Sequence, residues 1–190
     1  VKDVPLFPLG TVLFPEGLLP LRIFEQRYLE MAKACLRDQS PFGVCLIREG
    51  AEVGAPAVPE SIGCLARIVH WDMPQFGLLQ IIARGSLRFR ILERRLQADG
   101  LARADIELLR AESDAPVPAD CAACRQLVER FAQEHGDRIY AKPYRFDSSA
   151  WVAARLAEVL PLPAAVRQRL LEQDGVPRLR ALQELLSLQG

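Results

Sequence analysis

Two different hydrophobic rhythms divide this chain. Up to about residue 110 the apolar positions come in short blocks cut by proline and glycine, while after Ala115-Pro-Val-Pro118 they recur at helical spacing. In the first part, Leu6 to Leu9 and Val12 to Phe14 are brief apolar runs closed by proline, which donates no ladder hydrogen bond and so keeps strands short. Ile62 to Trp71, Leu78 to Arg84, Leu87 to Arg94 and Ala102 to Leu109 read as further strands, with a turn at Pro74-Gln-Phe-Gly77 and a buried strand over Phe42 to Arg48. Leu87, Phe89 and Ile91 alternate with Arg88 and Arg90, which predicts one face inward and one in water. One stretch breaks the pattern. Phe24, Tyr28, Met31, Ala32, Cys35 and Leu36 share one helical face opposite Glu25, Arg27, Glu30, Lys33 and Arg37, predicting a helix over 24–38 that ends at Ser40-Pro41.

Beyond residue 118 the stripe Cys121, Cys124, Leu127, Val128 and Phe131 predicts a helix. Ser148 is placed as the N-cap of a second, carrying Trp151, Val152, Leu156 and Val159. Pro163 is expected at the first position of a third, which Gly175 is expected to stop, and Leu179, Leu182, Leu185 and Leu186 mark a fourth. The expected class is α+β: a small, partly open β-barrel with one embedded helix over 1–114, then a helical bundle over 115–190.

Charge narrows the functional classes. Lys plus Arg and Asp plus Glu both number 24, with 14 basic against 13 acidic residues in the first 110 and 10 against 11 in the rest. A nucleic-acid binder draws much of its affinity from phosphate neutralisation and carries a basic excess, so nucleic acid is not the expected partner. No apolar run reaches the roughly 20 residues of a membrane span, and no signal peptide is visible. Five cysteines, an odd number in apolar contexts, suit a reducing compartment, so a cytoplasmic location is expected.

Motifs of catalysis are missing from the sequence. There is no G-x-x-x-x-G-K-[ST] loop and no G-x-S-x-G elbow, since Gly85-Ser-Leu fails that pattern. Cys121-Ala-Ala-Cys124 is a single C-x-x-C on an apolar stripe, and neither His70 nor His135 stands at ligand spacing from it, so core packing is its expected role. No metal or cofactor is expected, and no enzymatic activity.

The opening segments carry a resemblance. Val4-Pro-Leu-Phe-Pro-Leu-Gly-Thr-Val-Leu-Phe-Pro15, Leu19-Pro-Leu-Arg-Ile-Phe-Glu-Gln-Arg-Tyr28 and Phe42-Gly-Val-Cys-Leu-Ile47, in that order, resemble the amino-terminal, substrate-recognition domain of Lon-type ATP-dependent proteases. Ile62-Gly-Cys-Leu-Ala-Arg-Ile68 resembles that family's Gly-Thr-x-Ala-x-Ile strand, with Cys64 where Thr is usual, and Gly85-Ser-Leu-Arg-Phe-Arg90 its Gly-x-x-Arg-Phe-x segment. Leu160-Pro-Leu162, Gln168 to Glu172 and the Leu185-Leu186 region resemble its helical half. Nothing in the 190 residues resembles the ATPase or peptidase of those proteases. The resemblance implies a barrel of the pseudouridine-synthase-associated (PUA-like) type and a module that binds unfolded or degron-bearing polypeptides, with any protease or chaperone supplied by another chain. RNA binding is the alternative, by analogy of fold alone.

Under that resemblance, Arg22, Glu25, Arg27 and Tyr28 stand either at the mouth of a peptide groove or in a structural role, an arginine pairing with a carboxylate and capping barrel carbonyls. Arg88 and Arg90 are either a solvated strand face or a basic ladder for acidic peptides or RNA. Phe76, Leu78 and Trp151 are either apolar contacts for a captured chain, expected at a barrel edge or in a cleft between barrel and bundle, or core.

Overall fold

A computed structural model describes residues 1–188 of the chain. Its contacts divide the chain into Val1–Arg110 and Ala111–Gly190. The first unit is a seven-stranded sheet with one helix: β1 (Val4–Leu9), β2 (Leu18–Ile23), α1 (Gln26–Asp38), β3 (Phe42–Glu49), β4 (Val58–Pro59), β5 (Ile62–Gln75), β6 (Leu78–Leu96) and β7 (Ala102–Leu108). The second holds α2 (Ala122–His135), α3 (Ser149–Val159), α4 (Ala164–Glu172) and α5 (Gly175–Ser187). The class is α+β, as the sequence rhythm predicts.

Strand order runs β1-β7-β6-β5-β3-β4, and β1 also pairs with β3, so the ladder returns to its first strand and the sheet partly closes into a barrel. Among the described residues only β1 and β3 run parallel. Among the described residues β2 pairs with β6 alone, from Leu18↔Arg84 to Ile23↔Leu79, which leaves its other edge unpaired. Two apolar clusters line the two faces of the wall. One gathers Phe7, Tyr28, Met31, Phe42 and Ile81; the other gathers Leu6, Cys45, Leu65, Phe89 and Ile106. Each such side chain contributes about 1.5–3 kcal/mol by leaving water.

The strands differ from the sequence expectation in instructive ways. The two blocks Leu78 to Arg84 and Leu87 to Arg94 are one strand of 19 residues. The predicted alternation fails inside it: Arg88 is buried (4% exposed) and Leu87 is not. Between Ala66↔Gly85 and Cys64↔Arg88 two steps of β5 face three of β6, a bulge that reverses which residues point inward. Arg88 then shares a face with buried Cys64, and Phe89 shares the opposite face with Gly63, so this stretch is covered on both sides. A solvated or exposed basic ladder at Arg88 is thereby corrected. Val12 to Phe14 is buried but forms no strand. The helix starts at Gln26, with Glu25 as an extended N-cap, so Phe24 lies outside it and is 58% exposed rather than on its apolar stripe. At the β5–β6 turn Gly77 takes φ +80, the left-handed region that only glycine enters without cost.

In the helical unit Ser148 caps α3 as expected, its hydroxyl accepting from the Trp151 N–H at 3.3 Å. Pro163 is the N-cap of α4 rather than its first residue. Gly175 does not stop α4; it opens α5, and its missing Cβ lets that helix approach α3, where a methyl would lie 2.6 Å from the Ala150 Cα. No helix among the described residues is long and apolar enough to cross a membrane.

Candidate functional site

The unpaired edge of β2 borders a groove lined by Phe7, Leu9 and Tyr28 at its floor, Leu21 to Glu25 on one wall, and Glu52 and Val53 on the other. The chain arrives there because Leu19-Pro-Leu-Arg-Ile alternates partly buried leucines with exposed Pro20 and Arg22, and proline is tolerated where the missing N–H faces an open edge. Phe24 then turns outward before α1 begins.

The second wall is a loop fastened at two points. The Glu52 carboxylate accepts from the Gly10 N–H at 2.5 Å. The Arg27 guanidinium donates to the Gly54 carbonyl at 2.8 Å and to the Gly100 carbonyl at 3.4 Å, and pairs with Glu25 at 2.9 Å. Arg27 is buried and lies 4.8 Å over the Tyr28 ring. A guanidinium taken out of water without such partners costs several kcal/mol, so these contacts hold it and, through it, the loop. Val53, between the two clamps, is left 58% exposed, as is Phe24, which also lines the groove. Tyr28 packs against Phe7 with centroids 4.2 Å apart and ring planes tilted by 39°, and burial pushes its phenol above the usual range.

Chemically the groove suits a side chain and a backbone. It encloses about 160 Å³, well under the roughly 300–1,000 Å³ of small-molecule sites. Its ionisable lining is Arg22, Glu25, Tyr28 and Glu52, with no nucleophile beside a base. The unpaired β2 edge offers main-chain donors and acceptors of the kind that take up an added strand. Among the described residues no group of three or more His, Cys, Asp or Glu is arranged to hold a metal ion.

Of the residues singled out from sequence, Arg22, Glu25 and Tyr28 line this groove and Arg27 braces it. Phe76 stands fully exposed at the tip of the β5–β6 hairpin, with Leu78 half-buried beside it. Arg90 faces solvent and pairs with Glu107 of β7 at 3.2 Å. Trp151 lies in the other unit, buried among Tyr140, Tyr144 and Phe146 at centroid distances of 5.4–6.0 Å, so its role is packing. Cys121 and Cys124 are both buried, and the Cys124 thiol donates to Gln183 at 3.1 Å while burial pushes it up to about 11. Sequence reasoning missed Val53, whose signal was a lone large apolar residue in a polar loop, and Trp71 and Met73, whose signal was apolar alternation carried past the end of the barrel core.

A partly closed barrel whose second strand pairs on one edge alone, followed in the chain by four helices among the described residues, is the α+β arrangement found in Lon N-terminal domains. The chain belongs to the ATP-dependent protease La (LON) substrate-binding domain family, whose model matches residues 3–187. The crystal structure of a Lon N-terminal domain protein from Xanthomonas campestris superposes with a TM-score of 0.79 at 34% identity, covering 98% of both chains. The N-terminal domain of Mycobacterium avium complex Lon protease shares the fold, with a TM-score of 0.66 at 19% identity over 98% of both chains. A Lon protease of Chloroherpeton thalassium is 26% identical over 184 residues, 91% of this chain and 21% of its own length. A 113-residue match to protein cereblon of Danio rerio, 26% identical, covers 57% of this chain and 26% of that protein. The chain thus spans about a fifth of the length of the Chloroherpeton protease it matches.

Proposed function

We infer that this chain is a non-catalytic recognition module that grips extended, apolar polypeptide segments along the β2 edge. The observation that carries this reading is the unpaired strand edge beside a side-chain-sized groove whose two rims, Phe24 and Val53, are exposed apolar residues. Main-chain hydrogen bonds to an edge tolerate many sequences, and the groove selects for an apolar side chain at one position. Such a ligand is an unfolded or degron-bearing chain, since a folded protein hides both. Membership of the substrate-binding domain family supports the same reading.

The arginine distribution favours peptide over RNA. Arg88 is buried, Arg90 is paired with Glu107, and Arg95 is paired with Asp3 and Asp105, so three of the five arginines of β6 are withdrawn from phosphates. The test is fluorescence anisotropy with a labelled, reduced and carboxymethylated protein that cannot refold. Affinity in the micromolar range is expected, falling about tenfold or more in the F24S/V53S double variant with little dependence on salt. Unchanged binding by that variant would refute the groove as the site.

A further inference from the structure

We propose that the β5–β6 hairpin is a second apolar anchor for the same extended polypeptide, continuous with the groove, so that the preferred ligand carries two apolar blocks a few residues apart. This rests on the reading of the β2 groove given above. Beyond the barrel core, β5 displays Trp71 at 53% and Met73 at 42% exposure, and Phe76 at the tip is wholly in solvent. Aromatic residues and methionine are the types enriched where protein surfaces bind.

Register places them beside the groove. Trp71 pairs with Ile81, and Ile81 pairs with Leu21, which lines the groove. Directly opposed residues share a face, so Trp71 stands on the face to which Leu21 points, two strand spacings or roughly 10 Å away. At the barrel end, Phe24 follows Ile23, whose partner Leu79 adjoins Leu78, the last pair before the turn. Phe24 and Phe76 therefore emerge at the same end.

Charge identifies the occupant. From Ile68 to Ala83 there is no lysine or arginine, and Asp72 is the one formal charge. An anionic membrane surface or a nucleic acid would find no cation on the hairpin and only Arg22 in the adjoining groove, set against Glu25 and Glu52, whereas an apolar, uncharged stretch of polypeptide is complementary. An extended chain is the form that also matches the unpaired β2 edge, at about 3.3 Å per residue.

The test uses two labelled peptides: one with a single Phe-Ile-Phe block, and one with two such blocks joined by about four Gly/Ser residues, enough to span roughly 10–14 Å when extended. Two linked contacts raise affinity by effective concentration, so the two-block peptide is expected to bind the intact chain at least ~10-fold tighter. In W71S/F76S, which changes only exposed side chains and leaves the thermal midpoint in place, that advantage disappears while single-block binding is unchanged. Equal two-block affinity in W71S/F76S and the unaltered chain would overturn the proposal. Flotation with phosphatidylglycerol-containing vesicles that is lost in W71S/F76S would also overturn it, in favour of lipid. Failure of the groove reading shows separately, as single-block binding that survives F24S/V53S.

Discussion

The two units solve opposite problems of polarity. In the strand unit large apolar side chains are left in water, at Phe24, Val53, Trp71, Met73 and Phe76. In the helical unit even charges are taken inside: Arg155 and Arg178 are fully buried, each held by a carboxylate, while Trp151 and Tyr140 are packed away. A buried ion pair is weak evidence of stability but strongly dictates geometry, because each charge must find its partner. The helical unit thus spends its polar groups on its own arrangement, and the strand unit keeps apolar surface for something else.

The sharpest way to break this contrast is Arg178→Ala. The Arg178 guanidinium pairs with Glu112 and donates to the carbonyls of Leu170 and Gln173, both at 2.7 Å. Its removal leaves a buried carboxylate and carbonyls without their donor, at a cost of about 3–5 kcal/mol. Urea unfolding followed by Trp151 emission in a W71F background measures it, and the strand unit's circular dichroism signal is expected to persist.

Next in size is a pH effect. Glu158, four-fifths buried beside Arg155 at 2.7 Å, is pushed up to about 7 by desolvation, against the opposing pull of Arg155, Arg178 and Arg167. The folded unit then holds this proton more tightly than the unfolded chain, whose carboxyl titrates near 4.5. The stabilisation is complete below about pH 4.5 and is lost as pH rises through about 7, by at most about 3 kcal/mol. Unfolding free energies at intervals across that window should fall in the unaltered chain and flatten in Glu158→Gln. Equal slopes would remove Glu158 from the account.

Smaller is Ser148→Ala, which deletes the α3 cap and is expected to cost about 1 kcal/mol in the same unfolding assay. Smallest is Phe76→Ser. The side chain touches only water in the free chain, so stability should move by less than about 0.5 kcal/mol while binding of the two-block peptide weakens. A large loss of stability here would mean that the hairpin tip is structural and would erase the contrast from the strand side.

The misreadings share one cause. Ser148 was legible because a cap acts on its own next turn, and the turn over 74–77 because proline and glycine punctuate locally, though its first two residues continue β5 and only Phe76 and Gly77 make the turn. Arg88 was misplaced because one inserted residue between Gly85 and Arg88 turns Arg88 to the face of buried Cys64, and alternation by itself carries no mark of a bulge. Gly175 read as a stop because glycine ends many helices; its actual service is to let Ala150 come close, a contact 25 residues away in the chain. Phe24 fitted a helical stripe by spacing, yet the helix begins two residues later. Of the groove, Arg22, Glu25 and Tyr28 were visible in the opening motif. Val53 was not, since its place depends on Arg27 and Glu52 tying a distant loop to α1 and β1.

What the amino-acid order determined alone was the change from strand to helix rhythm, the embedded helix and the Ser148 cap, because propensity and capping act over a few residues. Which edge stays unpaired, which arginines sink and which aromatics remain in water were decided only by the closed ladder and its bulges. Those outcomes depend on pairings between residues 24 to 100 positions apart, such as Cys64↔Arg88, Leu6↔Gly43 and Val4↔Ala104, and no local pattern encodes them.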